Sequence, residues 1–312
     1  MRSCILHIGT EKSGTTTLQE WLYCNRLALS ERGFYLSEQL GQPNNRIFPA
    51  YFSRRLDEWA QVRNLSNVAQ KDLYMSGFES TLRQELREAI KKHEQVVISS
   101  EHLHSRIVSK LEIQEIYTFL TSIFDQVYVV CYFRHQADMG LSLYSTALKF
   151  GHAVKIEQFM NEVREENYYY NFENIADNWS GVFGKENCIF RIYNRKKLAG
   201  ADIRCDFLEV CGINSRVEDF NFKQRNSNDS LSKASAAAFR VINILLPATP
   251  DKQSFARKLT RFANKALKWV ALKSLSSVGG KLNYRDTEEV NKRFSSSNAR
   301  FFAKYLDGVE HF

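Results

Sequence analysis

"HIGTEKSGTTTLQ", residues 7–19, joins a short apolar run to a stretch of helical spacing, and its reading decides the fold. Upstream, "SCILHI" (3–8) is a buried-strand pattern that stops at Gly9. Downstream, Leu18, Trp21 and Leu22 recur at helical spacing in a segment running from Thr15 to Leu27. The order is strand, glycine loop, helix. Such a junction offers backbone N–H groups and the positive end of a helix dipole to an anion, and Ser13, Thr15, Thr16 and Thr17 add hydroxyl donors.

The same alternation continues along the chain. A charged helix over Leu82 to His93 leads into "QVVISS" (95–100), a strand that ends at Glu101. An amphipathic helix over Leu111 to Phe124 leads into "QVYVVCYF" (126–133), the most strand-like run, which ends at Arg134. Asp138 is placed to cap a helix running to about Phe150, helices follow over Glu157 to Arg164 and Phe172 to Phe183, and "NCIFRIY" (187–193) is a fourth strand. Strands alternating with helices predict parallel pairing through right-handed crossovers, hence an α/β fold with a central sheet covered by helices on both faces. Ligands of such sheets sit beyond the carboxyl ends of the strands. Gly9, Glu101 and Arg134 all fall at that edge. Beyond Gly212 the strands stop: a polar stretch (223–232), a helix to Leu246, a basic helix from about Lys252 and a last helix over Thr287 to Leu306 form a helical C-terminal part.

With 312 residues, 44% of them apolar and 13% aromatic, the chain can bury a sizeable core and is not of disordered composition. A net charge of +8 favours anionic ligands or surfaces. Nucleic acid is not expected as a partner, because no zinc-finger spacing, RNP-type strand or long basic tail is present. Six cysteines (Cys4, Cys24, Cys131, Cys188, Cys205, Cys211) lie scattered without a CxxC pair and read as reduced core thiols. The first strand starts within a few residues of Met1 and no apolar run approaches membrane-spanning length, so a cytoplasmic protein is expected.

A Walker loop is GxxxxGK[ST], with its lysine directly after the second glycine. Here Gly9 and Gly14 have that spacing, Thr15 occupies the lysine position, and the lysine is Lys12. "GTEKSGTTTL" resembles the 5′-phosphosulfate loop of sulfotransferases that use 3′-phosphoadenylyl sulfate (PAPS), where KSGTT is the usual core. "YFRHQADMGLSLYSTAL" independently resembles the family's 3′-phosphate segment, in which a strand-end arginine is followed eight residues later by a serine, here Arg134 and Ser142. Many members carry proline two residues after that arginine, where this chain has Gln136. "NWSGVFGKENCIFRIYNRKKL", "DFLEVCGI" and "RFSSSNARFFAKYL" are similar, more weakly, to the later segments of the carbohydrate-type, bacterial-looking branch. The resemblance also makes Arg225 and Ser232, in and beside "RNSNDSLS", candidate nucleotide contacts.

What the resemblance implies is a three-layer, P-loop nucleotide-kinase-like fold and a single sulfotransferase domain over 1–312. Its nucleotide-binding core would take about 1–232, the basic helical segment about 250–280 and the C-terminal helix about 287–306. PAPS is the implied co-substrate and PAP the product, with no metal. Lys12 and the loop N–H groups would stabilise the departing phosphate, as positioning and electrostatics do in phosphoryl transfer. Glu101 is the first candidate for the base that takes the acceptor's proton, with His102 and His104 as competitors and a helix-capping or ion-paired carboxylate as the plain alternative. Arginine suits Arg134's task because its planar fork binds phosphate in bidentate fashion.

The acceptor implied by the branch is a hydroxylated carbohydrate or glycolipid, an acidic one among the candidates. Aromatic positions such as Phe48, Tyr51, Phe52, Trp59 and Tyr168 to Tyr170 either stack on a sugar or fill a core. In the basic segment 252–273, Phe255, Leu259, Phe262, Ala266 and Trp269 share one helix face, read as a stripe laid on the core; peripheral contact with the inner face of a membrane is the competing reading. A P-loop kinase or NTPase, and a non-catalytic nucleotide- or glycan-binding module, remain the alternative functions. The displaced lysine and the lack of a clear Walker B aspartate speak against the first.

Overall fold

The computed structural model describes residues 2–221, 231–247 and 255–306, with backbone only over 255–258. They fall into two compact units, one drawn from Met1–Arg134, Asn171–Gln224 and Ser296–Phe312, the other from His135–Tyr170 and Arg225–Ser295.

The first unit is built on a five-stranded, wholly parallel sheet: β1 (Ser3–Gly9), β2 (Phe34–Leu36), β3 (Gln95–Ser99), β4 (Gln126–Phe133) and β5 (Cys188–Ile192), in the order β2-β3-β1-β4-β5. All seven residues of β1 are buried, as a continuous apolar run in the middle of a parallel sheet requires. Its neighbours lie in register with Ile5 opposite Val97 on β3 and Tyr128 on β4. Side chains alternate between two covered faces. On one, Ile5, Val97, Val130 and Tyr132 pack against Leu18, Trp21 and Leu22 of the helix Thr15–Cys24 and against Phe207 and Leu208 of Ile203–Val210. On the other, the Phe133 ring lies 4.7 Å from Phe172 of Phe172–Phe183 and 4.9 Å from Phe301 of Ser295–Tyr305. This is the α/β arrangement that the alternating pattern predicts, a central parallel sheet covered by helices on both faces.

The structure adds one strand. β2 is only three residues long, too short for a period to show, and is held as Glu94 and Gln95 donate N–H bonds to the Gly33 carbonyl at 2.9 and 3.1 Å. The first helix stops at Cys24 rather than Leu27, because the Asn25 amide donates to the Trp21 carbonyl (2.8 Å) and to the Asn221 carbonyl (2.7 Å), drawing the backbone off its helical path. The charged helix before β3 is Phe78–Ala89, beginning directly after Gly77. Cys24 is exposed, not in the core as expected, whereas Cys4, Cys131 and Cys211 are buried.

The second unit is helical. Gln136–Lys149 starts three residues earlier than expected, with His135 rather than Asp138 at the N-cap and Asp138 in the first turn, where its charge complements the dipole. Helices Ile156–Asn161, Lys233–Leu245, Phe255–Leu275 and Thr287–Lys292 belong to it, the single last helix expected over about 287–306 being broken into Thr287–Lys292 and Ser295–Tyr305, and a core of Tyr144, Leu148, Leu231, Ala236, Phe239 and Ala271 holds the unit together. The stripe Leu259, Phe262, Ala266 and Trp269 does not lie on that core. Leu259, Phe262 and Trp269 are 59%, 72% and 58% exposed, and Asn264, Lys268 and Ala271 take the inner side. No helix among the described residues is long and apolar enough to cross a membrane.

Candidate active site

β1 runs out at Gly9, and the chain turns through 10–14 into the helix Thr15–Cys24. The loop is pinned from beneath: the Thr10 N–H and hydroxyl both donate to the Tyr132 carbonyl on β4, at 2.9 and 3.0 Å. The Ser13 hydroxyl donates back to the Thr10 carbonyl at 2.6 Å and is fully buried, so it braces the loop's own curve. Lys12 stands in the left-handed region (φ 67°), a conformation costly for a residue with a Cβ, and Gly14 (φ 81°) is the N-cap. No side chain caps this helix and no acid sits in its first turn, where Thr16 is exposed and Thr17 half-buried. Gly14 is required by space as well: a Cβ there would come within 2.7 to 3.0 Å of the Tyr193 ring.

The neighbouring strand ends close on this loop. Arg134, after β4, donates from Nη1 to the Lys12 carbonyl at 3.0 Å. Glu101, after β3, lies against Gly9, so that a Cβ at Gly9 would sit 3.2 Å from the Glu101 Cα. Gln19, one turn into the helix, donates from Nε2 to Glu101 Oε2 at 2.6 Å. The Glu101 side chain is 16% exposed, and burial raises its pKa above the ordinary carboxylate range, with Glu11 adding to the rise and the Gln19 bond and Arg46 opposing it.

The histidines divide. His102 Nε2 lies 3.9 Å from Glu101 Oε1 and 3.4 Å from the Asn44 amide, while its Nδ1 is buried without a hydrogen-bond partner among the described residues. Burial, reinforced by Arg46, pulls its pKa down to about 4, so the ring is neutral near pH 7. His104 is buried and accepts from the Glu11 N–H at 3.4 Å, which gives it a loop-supporting place. His7, inside β1, pairs through Nδ1 with the Ser99 hydroxyl at 2.7 Å, and burial pulls it down to about 3.

Lys12, Ser13, Gly14, Thr15, Thr16, Thr17, Glu101, His102 and Arg134 thus share one rim of the first unit. Ser142 belongs to the helix Gln136–Lys149 of the second unit, and its carbonyl accepts from the Thr146 hydroxyl at 3.0 Å. Arg225 lies outside the described residues. Ser232 is occupied as an N-cap: its hydroxyl accepts from the Ser235 N–H at 3.0 Å and donates to the Leu275 carbonyl at 2.6 Å. Two participants escape sequence reasoning. Gln19 sits at an ordinary helix position, and only the turn of the helix aims it at Glu101; Tyr193 ends the fourth predicted strand as one aromatic among many. Arg46 and Arg106, which both reach the Asp57 carboxylate beside this rim, likewise come from separate segments with no local signature. Among the described residues no group of three or more His, Cys, Asp or Glu is arranged to hold a metal ion.

No family model matches the sequence. The chain is 26% identical over 186 residues to an uncharacterized protein of Archaeoglobus fulgidus; the alignment covers 59% of this chain and 47% of that protein, so the chain spans about half the length of the curated relative it matches. Among solved structures it is similar to the crystal structure of a sulfotransferase from Alicyclobacillus acidocaldarius, with a TM-score of 0.39 and 15% identity over 88% of this chain and 95% of that one. A likeness of that level carries no conclusion about fold or chemistry, which rest on the strands, loop and side chains described above.

Proposed function

We propose that the chain is a PAPS-dependent sulfotransferase, working as one functional domain over 1–312, that moves a sulfuryl group to a hydroxyl of a carbohydrate or glycolipid. The observation that supports this reading is the meeting of three strand ends: a glycine loop whose lysine precedes the second glycine, Arg134 on the Lys12 carbonyl at 3.0 Å, and Glu101 against Gly9.

In this reading the 5′-phosphosulfate lies over the positive end of Thr15–Cys24, with the hydroxyls of Thr15, Thr16 and Thr17 and the loop N–H groups as donors. The acceptor oxygen attacks sulfur, the S–O bond to the phosphate breaks, and the electron pair leaves on the bridging oxygen of PAP. Lys12 meets that growing charge. The acceptor's proton passes to Glu101, whose raised pKa makes it a better acceptor near neutrality than His102, held at about 4. Gln19 keeps the carboxylate aimed. Arg134 is assigned to the 3′-phosphate; Ser142 and Arg225 keep the roles the resemblance implies, each to be tested by its own alanine variant.

The test is incubation of the full chain with PAPS labelled in the sulfuryl group and extracts of its source organism. The expected result is label on a carbohydrate-containing product with stoichiometric release of PAP. Binding of PAP with no transfer to any fraction would favour the non-catalytic module, and Mg²⁺-dependent ATP consumption would favour the kinase reading.

A further inference from the structure

The helix Phe255–Leu275 is inverted relative to an ordinary surface helix. Its inward side carries Asn264 and Lys268, 7% and 8% exposed, and these are spent on the ends of neighbouring helices. Asn264 donates to the Leu246 carbonyl at 2.8 Å, just past Lys233–Leu245, and Lys268 Nζ donates to the Lys149 carbonyl at 3.2 Å at the end of Gln136–Lys149. Both satisfy carbonyls that a helix leaves without an internal donor. The opposite side, at about 100° per residue, is the one holding Leu259, Phe262, Ala266, Trp269 and Val270. Leu259, Phe262, Trp269 and Val270 are all more than half exposed, and Ile244 and Leu245 on the adjoining helix add 52% and 72%.

Charge says what covers this face. Residues 252–285 contain nine Lys or Arg and no Asp or Glu. Exposed Lys265 borders the apolar stripe and exposed Lys273 follows it one turn on, its ammonium 4.3 Å from the Trp269 ring centre. A second copy of the chain would bring like charge against like. An aromatic and aliphatic stripe edged by lysines is the pattern of a helix lying in a lipid interface, with rings at the headgroup boundary and ammonium groups on phosphates.

We propose that the outer face of Phe255–Leu275 docks on an anionic phospholipid bilayer, with Leu259, Phe262 and Trp269 entering the headgroup boundary and Lys265 and Lys273 meeting lipid phosphates. The inference does not depend on sulfuryl transfer. Its test is sedimentation of the full chain with vesicles of phosphatidylcholine alone or containing one-third phosphatidylglycerol, at low and high salt. Partition onto the anionic vesicles is expected to be tenfold or more stronger, on the order of what two lysines near a charged surface supply, and to weaken with salt. Trp269 reports directly, because Trp21, Trp59 and Trp179 are all buried. Its emission shifts to the blue with anionic vesicles, and Trp269→Phe removes the shift. A Phe262→Ser/Trp269→Ser variant, altered only at exposed positions, keeps its melting temperature and loses binding. Equal partition onto neutral and anionic vesicles, full binding by that variant, a lipid-free dimer that shields Trp269, or uptake of single-stranded RNA in place of vesicles would each overturn the proposal.

Discussion

The helices Thr15–Cys24 and Phe255–Leu275 carry similar apolar periodicity and opposite fates. In the first, Leu18, Trp21 and Leu22 are essentially inaccessible, pressed on the sheet, and the N-terminal end of the helix carries no side-chain cap. In the second, the stripe with the strongest period points away from the core, and Asn264 and Lys268 go inside because carbonyls need donors there. Periodicity identifies the apolar face of a helix; what lies opposite that face is decided by the rest of the fold. The lesson separates two kinds of positive surface. At the loop, positive charge comes from the end of a helix and the backbone geometry before it, whereas on the basic helix it comes from lysine and arginine side chains.

If the loop is the reacting centre, Lys12→Ala has the largest expected effect, a fall in turnover of about a hundred- to a thousandfold, the cost of losing one preorganised charge partner of a leaving group. PAP affinity should change far less, and vesicle binding not at all. Normal turnover in this variant would end the assignment.

Glu101→Gln comes next, with a loss of about a hundredfold or more, as for removal of a general base. The wild-type rate should fall as pH drops through the raised Glu101 pKa, because protonation removes the base, so the acid limb lies above the usual carboxylate value of about 4.3. Gln19→Ala, which removes the amide that donates to Glu101 Oε2, should move that limb rather than abolish it. A limb unmoved in both variants would give the proton to another group.

Arg134→Ala should weaken PAP binding about tenfold or more, with a smaller effect on turnover of bound substrate, as for loss of a charged hydrogen bond. Calorimetric titration with PAP measures this, and unchanged affinity would remove Arg134 from the nucleotide site.

Smaller effects concern stability. Gly14→Ala forces a Cβ onto the Tyr193 ring at a positive φ and should cost about 1 to 3 kcal/mol in chemical denaturation. Tyr193→Ala in the same chain should recover the steric part. His7 and His102 are held neutral by burial, with pKa values of about 3 and about 4 against 6.5 when unfolded. The unfolded chain therefore takes up protons first on acidification, and stability present above pH 6.5 is lost as pH falls toward those values. A melting temperature that stays flat across that window would contradict their burial.

Much of the first unit was legible because its physics is local. Four of the five strands are valine- and isoleucine-rich runs, each ending at a chemically distinct residue, so the sequence alone sets Gly9, Glu101 and Arg134 on one edge. β2 was hidden by its length, and the break at Asn25 by a bond to Asn221, nearly two hundred residues away. Gln19 and Tyr193 were hidden for the same reason: their roles exist only once the loop, β3 and β5 are brought together. In the second unit the face of the basic helix was read correctly as a face and misread as buried, because a pattern of carbons does not reveal that Lys149 and Leu246 carbonyls claim the inner side.

The central claim is that the register of Lys12 marks a sulfate donor site, and competition at the loop tests it most directly. Titration of the full chain with PAP and with Mg·ATP, on wild type and on Lys12→Ala, compares the two ligands at one site. Tight binding of PAP with no measurable competition by Mg·ATP is the predicted result. Tight Mg·ATP binding that PAP fails to displace would contradict the account.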